Sequence, residues 1–220
     1  MKAFVAGATG QTGAHIVQQL HAKGVEVVAL VRDRTKAQTL LPEGVELVVG
    51  DVLAPATWEA ALSGCEVLFC ATGATPSLDF TGPYKVDYEG TKLLVDRAKA
   101  QGVDRLVLIS SLCVSQFFHP LNLFWLVLYW KQQAEKYLQA SGLTYTIVRP
   151  GGLLSEDNDD RILLQKADTL FEGRIPRTKV AAIAIAALEQ DAAQNQIVEA
   201  IATPDAPEQS WAERFATVAS

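Results

Sequence analysis

Positive charge, cysteine, histidine and long apolar runs are all scarce in this 220-residue chain. Lys and Arg number 19 against 25 Asp and Glu, a net charge of -6. Nucleic-acid binders need clustered cations to displace counterions from phosphates, so that class is excluded. The three cysteines, Cys65, Cys70 and Cys113, form no CxxC pair. His15, His21 and His119 show no ligand spacing either, and no metal is expected. Each cysteine lies in or beside an apolar run, which predicts buried free thiols and a reducing compartment. The stretch Phe117 to Trp130 is conspicuously apolar, but it is broken by His119, Pro120 and Asn122. It falls short of the roughly 20 apolar residues that a membrane-spanning helix needs. The N-terminus opens on a strand-like KAFVAGA, without the regions of a leader peptide, so the expected location is cytoplasmic.

The composition, 49% hydrophobic and 20% charged, is ordinary for a soluble α/β protein. Short apolar runs alternate with helical patterns, as in βαβ units around a parallel sheet. Strands are predicted at 2–6, 25–30, 45–49, 66–71, 105–110, 144–149 and 197–202. Helices are predicted at 12–23, 58–62, 86–101, 123–140, 180–188 and 211–218. The acidic run SEDNDD after the sixth strand reads as an exposed, mobile loop. No repeat or linker divides the chain, so one doubly wound Rossmann-type domain is expected over 1–220.

The run Gly7-Ala8-Thr9-Gly10-Gln11-Thr12-Gly13 follows the first strand and opens the first helix. Gly7 suits a tight turn, Gly10 a close approach of a pyrophosphate, and Gly13 close packing of helix on strand. A helix N-terminus there offers unpaired N–H groups and a positive dipole end to phosphates. The second strand ends in Val31-Arg32-Asp33-Arg34, with Lys36 close by. An acidic residue at that point serves the ribose 2′-OH of NAD, and an arginine serves the 2′-phosphate of NADP. Arg32 and Arg34 therefore predict NADP(H), while Asp33 keeps NAD open.

These residues resemble the atypical short-chain dehydrogenase/reductases, in particular the NmrA-like and NAD(P)H-binding members. Biliverdin reductase B (flavin reductase) and the chloroplast Tic62-like proteins are the most similar subgroups. Besides GATGQTG the resemblance rests on VRDR (31–34), GDVL (50–53), CATGA (70–74) and VDYEGT (86–91). LISS (108–111) and YTIVRPGGL (145–153) complete it, and it spans nearly the whole chain. The resemblance implies that Gly7, Thr9, Gly10, Gln11, Thr12 and Gly13 hold the pyrophosphate. It places Asp51 and Val52 beside the adenine and Ala71, Thr72 and Gly73 under the adenosine ribose. Ser110 would lie beside the nicotinamide, with Pro150, Gly151, Gly152 and Leu153 closing over its carboxamide. Ser111 and Lys131 become the candidate catalytic residues, and segments 111–130 and 151–178 the walls of a substrate pocket.

One departure bears on chemistry. Fully equipped relatives carry Tyr four residues before the Lys, and here Val127 stands there. Tyr129 is two residues away, on another helix face, where it cannot substitute. Asp87 stands where many relatives have Asn. The expected activity is NADP(H)-dependent hydride transfer to a flat conjugated acceptor, a flavin or linear tetrapyrrole. The alternative is a non-catalytic NADP(H)-sensing protein that regulates a partner or an assembly process in photosynthetic membranes. A sugar-nucleotide epimerase is disfavoured by the missing Tyr. The apolar 117–130 segment predicts a pocket lip, with a homodimer or peripheral membrane contact as other uses.

Overall fold

In a computed structural model, residues 1–74 and 79–219 are described. The strands are β1 (Lys2–Ala6), β2 (Glu26–Val31), β3 (Glu46–Val49), β4 (Val67–Cys70), β5 (Arg105–Ile109) and β6 (Thr144–Pro150). They continue with β7 (Gly152–Leu154), β8 (Arg161–Lys166), β9 (Arg174–Pro176) and β10 (Gln196–Thr203). The helices are α1 (Gln11–Ala22), α2 (Arg34–Leu40), α3 (Thr91–Ala100), α4 (Val127–Ala140), α5 (Arg177–Ala186) and α6 (Trp211–Ala219).

The sheet order is β3-β2-β1-β4-β5-β6-β10-β9-β7, with β8 also paired to β10. From β3 to β10 every neighbouring pair is parallel; β8 and β9 run antiparallel to β10. A parallel sheet covered on both faces needs apolar residues on both, and successive side chains of β1 supply them. Ala3 and Val5 join one core with Ile16 and Leu20 of α1 and Ile183 of α5. Phe4 and Ala6 join the other with Trp58, Leu94 of α3 and Leu138 of α4. The strand order reverses between β1 and β4, where the chain turns from building toward β3 to building toward β6, so a crevice opens beyond the carboxyl ends of those strands.

Several expected elements differ in detail. The helix expected over 86–101 begins as a π-helical run, Pro83–Gly90, before α3. The helix expected from Leu123 starts only at Val127. A 3₁₀ turn (Pro120–Leu123) precedes it, and Trp125 and Leu126 take positive φ of 58° and 59°. Asn122 explains the late start: its Oδ1 accepts from the N–H groups of Leu128 and Tyr129. The acidic run is tied down from α5: Arg177 donates to Ser155 Oγ, and Lys179 donates to the Asn158 carbonyl and pairs with Asp157. The helix expected over 58–62 is a 3₁₀ turn, Glu59–Leu62, and among the described α-helices and strands α2, β7, β8 and β9 were not foreseen.

Candidate functional site

At the crevice, the first loop is shaped by close backbone contact. Gly7 has φ +80°, and a Cβ built on it would lie 2.5 Å from the Ala71 carbonyl oxygen. A Cβ on Gly13 would collide with the Gly7 carbonyl. Both glycines are thus fixed by the approach of β1, α1 and β4, as the sequence pattern predicts. Gly10 is the N-cap of α1 and supplies no side-chain cap, and the first turn holds no acidic residue. The helix start therefore keeps unpaired N–H groups and a positive end facing outward, where an anionic group fits. Thr9 and Gln11 border this turn, and Thr12 turns inward.

Beyond this loop lies a cleft of about 220 Å³. Thr12 marks one end, and Ala71, Thr72 and Gly73 form the stretch after β4. Ile109, Ser110 and Ser111 after β5, Lys131 of α4, and Pro150, Gly151 and Leu153 after β6 form the far end. These expected site residues are therefore brought together by the fold. Gly152 sits between two of them, exposed at the start of β7.

The residues expected around the adenosine end are more dispersed. Arg32 is exposed and makes no hydrogen bond or ion pair with the described residues. Asp33 is engaged as the N-cap of α2, accepting from the Lys36 N–H at 3.0 Å. Arg34 donates to the Leu47 carbonyl of β3 at 3.0 Å. Asp51 closes its own turn by accepting from Leu53 N–H, and Val52 is buried against Gly90.

At the far end, Lys131 Nζ lies 2.7 Å from Asp87 Oδ1, with Lys131 18% and Asp87 1% exposed. Asp87 Oδ2 accepts from the Ala74 N–H at 3.3 Å. Burial pushes the Lys131 ammonium down, but Asp87, by charge and by hydrogen bonding, outweighs this and holds it above the usual lysine range. Lys131 is thus a fixed cation and not a neutral base. Ser110 donates to Glu135 one turn along α4, whereas Ser111 has no hydrogen-bond partner among the described residues. Val127, in the position of the family's Tyr, brings no acid. Tyr129 instead packs edge-on against Phe117 and Trp130.

A buried ionic network behind the cleft escaped the sequence reading. Arg149 of β6 grips both Glu135 oxygens and reaches Asp168 at 2.9 Å and Glu199 of β10 at 3.4 Å. Glu199 also accepts three backbone N–H groups, from Asp168, Thr169 and Leu170. Between β5 and α4, the stretch 117–126 presents an exposed apolar lip, with Phe118 95%, Leu123 82% and Phe124 63% exposed. No group of His, Cys, Asp and Glu able to hold a metal occurs among the described residues.

Comparison with known proteins then decides the affiliation. The NAD(P)H-binding family matches residues 7–191. This chain belongs to that family. An uncharacterized chloroplastic protein of Arabidopsis thaliana is 43% identical over 99% of this chain and 82% of its own length. The chloroplastic Tic62 of Pisum sativum is 38% identical over 93% of this chain, which spans only 43% of that protein. Sanguinarine reductase of Eschscholzia californica is 31% identical over 92% of this chain and 89% of its own length.

Among solved structures, a putative NAD-dependent epimerase/dehydratase from Bacillus halodurans superposes with TM-score 0.87. It is 24% identical, and the match covers 99% of this chain and all of that one. The anaerobilin reductase ChuY of Escherichia coli O157:H7 superposes with TM-score 0.78 and 26% identity. That match covers 95% of this chain and all of ChuY. The expected cytoplasmic location is overturned: the chloroplastic relatives point to the chloroplast instead. The three free thiols are all buried, as their apolar surroundings in the sequence predict.

Proposed function

We propose that this family member is an NADP(H)-dependent reductase that passes hydride to a flat conjugated acceptor, such as a flavin or linear tetrapyrrole. One observation carries the reading. One cleft joins the first turn of the uncapped α1 to Ser111 and Lys131, and no side-chain acid stands in the Tyr position. Gly7 to Gly13 would hold the pyrophosphate, with Asp51 and Val52 at the adenine and Ala71 to Gly73 under the adenosine ribose. That leaves the nicotinamide for the far end, between Ser110, Ser111 and Lys131 on one side and Pro150 to Leu153 on the other.

Reduction of a ketone leaves an alkoxide and gains much from a placed acid. Hydride addition to a flavin spreads the charge over the ring system, and the product takes its proton from water. Such an acceptor asks the protein mainly to stack and orient two rings. Relatives that are named reductases support turnover. The test is NADPH oxidation by purified protein against flavins, tetrapyrroles, quinones and simple ketones. Flavin reduction with little or no ketone reduction is expected. Ser111→Ala should lower turnover modestly, and Lys131→Ala should act mainly on cofactor affinity. Tight NADPH binding with no acceptor reduced would replace this reading by the NADP(H) sensor, which the exposed apolar lip also suits.

The choice of NADP(H) rests on Arg32, left unpaired beside the site, and on Asp33, whose carboxylate is occupied at the helix cap. A hydrogen bond to a charged group contributes about 1.5–3 kcal/mol, or roughly 10- to 150-fold in affinity. Arg32→Ala should weaken NADPH by about that factor and leave NADH nearly unchanged in calorimetric titration. Equal affinity of the unmodified protein for NADH and NADPH would remove the basis for this choice.

A further inference from the structure

The pair of Lys131 and Asp87 lies under the far end of the cleft, beside Thr72 after β4 and Ser110 after β5. We infer that Asp87 is a positioning residue whose charge offsets Lys131 and lets the cleft accept the oxidised, cationic nicotinamide as well as the reduced, neutral one. This rests on the cofactor reading above and deepens it.

An ammonium partly open to the cleft repels a positively charged ring and is indifferent to a neutral one. At an effective dielectric near 20, two charges a few ångströms apart repel strongly enough to shift binding at least ten-fold. Asp87 cancels that bias by direct contact at 2.7 Å. Its carboxylate is also pinned. Oδ2 accepts from Ala74 N–H, and Oδ1 lies 3.8 Å from where a Gly73 Cβ would be. The π-helical run that carries Asp87 aims it between the β4 loop and α4.

The other titratable groups facing Lys131 are Cys70 on β4 and Glu135 on α4. Glu135 is held by Arg149 and Ser110, which leaves Asp87 as the counter-ion in contact. Asparagine at position 87 keeps an oxygen for Ala74 N–H but removes the charge. Burial then acts on Lys131 with less opposition, and its ammonium loses its proton at lower pH than in the unmodified protein.

The experiment measures Kd for NADPH by its fluorescence and for NADP+ by calorimetry, from about pH 6.5 to about pH 9.5. In the unmodified protein the ratio of oxidised to reduced Kd should stay flat, because Asp87 keeps the Lys131 ammonium protonated and offset. In Asp87→Asn the ratio should rise about ten-fold or more at the acid end and fall back as Lys131 deprotonates. Lys131→Met, which leaves the carboxylate alone, should move the ratio in the opposite direction. A ratio unmoved in both variants, or both ligands weakened equally at every pH, overturns the inference. Failure of the unmodified protein to bind either form defeats the cofactor reading itself, and the inference with it.

Discussion

Arg149→Ala is expected to destabilise the protein by about 3–5 kcal/mol, the cost of removing one partner from a buried ion pair. For a chain of this size that lowers Tm by roughly 6–20 °C in a thermal melt. The guanidinium is 5% exposed, and the Glu135 and Glu199 side chains are 2% and 1% exposed. Without Arg149, two carboxylates remain in the interior with no cation between them. Glu199 still receives three N–H groups from 168–170, but Glu135 keeps only the Ser110 hydroxyl among these contacts. Lysine at position 149 should recover little, since a single ammonium cannot match the planar two-point grip on Glu135.

Burial pulls the Arg149 pKa down, but the Glu135 hydrogen bonds and charge, helped by Asp168, outweigh it, leaving the value above that of free arginine. A raised cation contributes stability that is fully present below its unfolded pKa. The Arg149 contribution is therefore constant through neutral and mildly alkaline pH. A measured loss below about 1 kcal/mol would show that water or a rearranged carboxylate replaces the guanidinium at little cost.

This network also marks where the sequence stopped being readable. The strands from β1 to β6 were legible because each is an apolar run bounded by turns, and a parallel sheet admits little else at those positions. The phosphate loop was legible because Gly7, Gly10 and Gly13 have a fixed spacing between a strand and a helix. Glu135, Arg149 and Glu199 lie on α4, β6 and β10, up to 64 residues apart, and charges meeting over such distances leave no local pattern. A charged residue inside the apolar run TYTIVRP was the available signal: Arg149 needed a buried partner there. Short strands such as β7 and β9, three residues each, exist through pairing and not through their own sequence. Asp33 was ambiguous because a carboxylate at a strand end can serve a ribose or cap a helix, and α2 was not foreseen.

Gly13→Ala is expected to abolish useful dinucleotide binding, with a loss of about 100-fold or more in NADPH affinity. The residue lies in the first turn of α1 with helical geometry, so the added methyl causes no backbone strain of its own. Its effect is steric: the Cβ meets the Gly7 carbonyl, and the next atoms in its path are the Gly7 carbonyl carbon at 2.8 Å and the Ala8 Cα at 3.2 Å. All three belong to backbone that cannot rotate away as a side chain can. Gly7 is itself packed on Ala71 and Thr72, so relief must come from α1 moving off the sheet. That movement re-aims the N–H groups at Gly10 to Thr12, the groups proposed to hold the pyrophosphate. Each hydrogen bond to a charged group contributes about 1.5–3 kcal/mol, and losing two accounts for roughly 10²- to 10⁴-fold. Overpacking should also cost about 1–3 kcal/mol of stability, too little to unfold a domain with the usual reserve. The measurement is therefore NADPH titration beside far-ultraviolet circular dichroism. A folded Gly13→Ala protein that binds NADPH as tightly as its parent would mean that the phosphates rest elsewhere than on the start of α1.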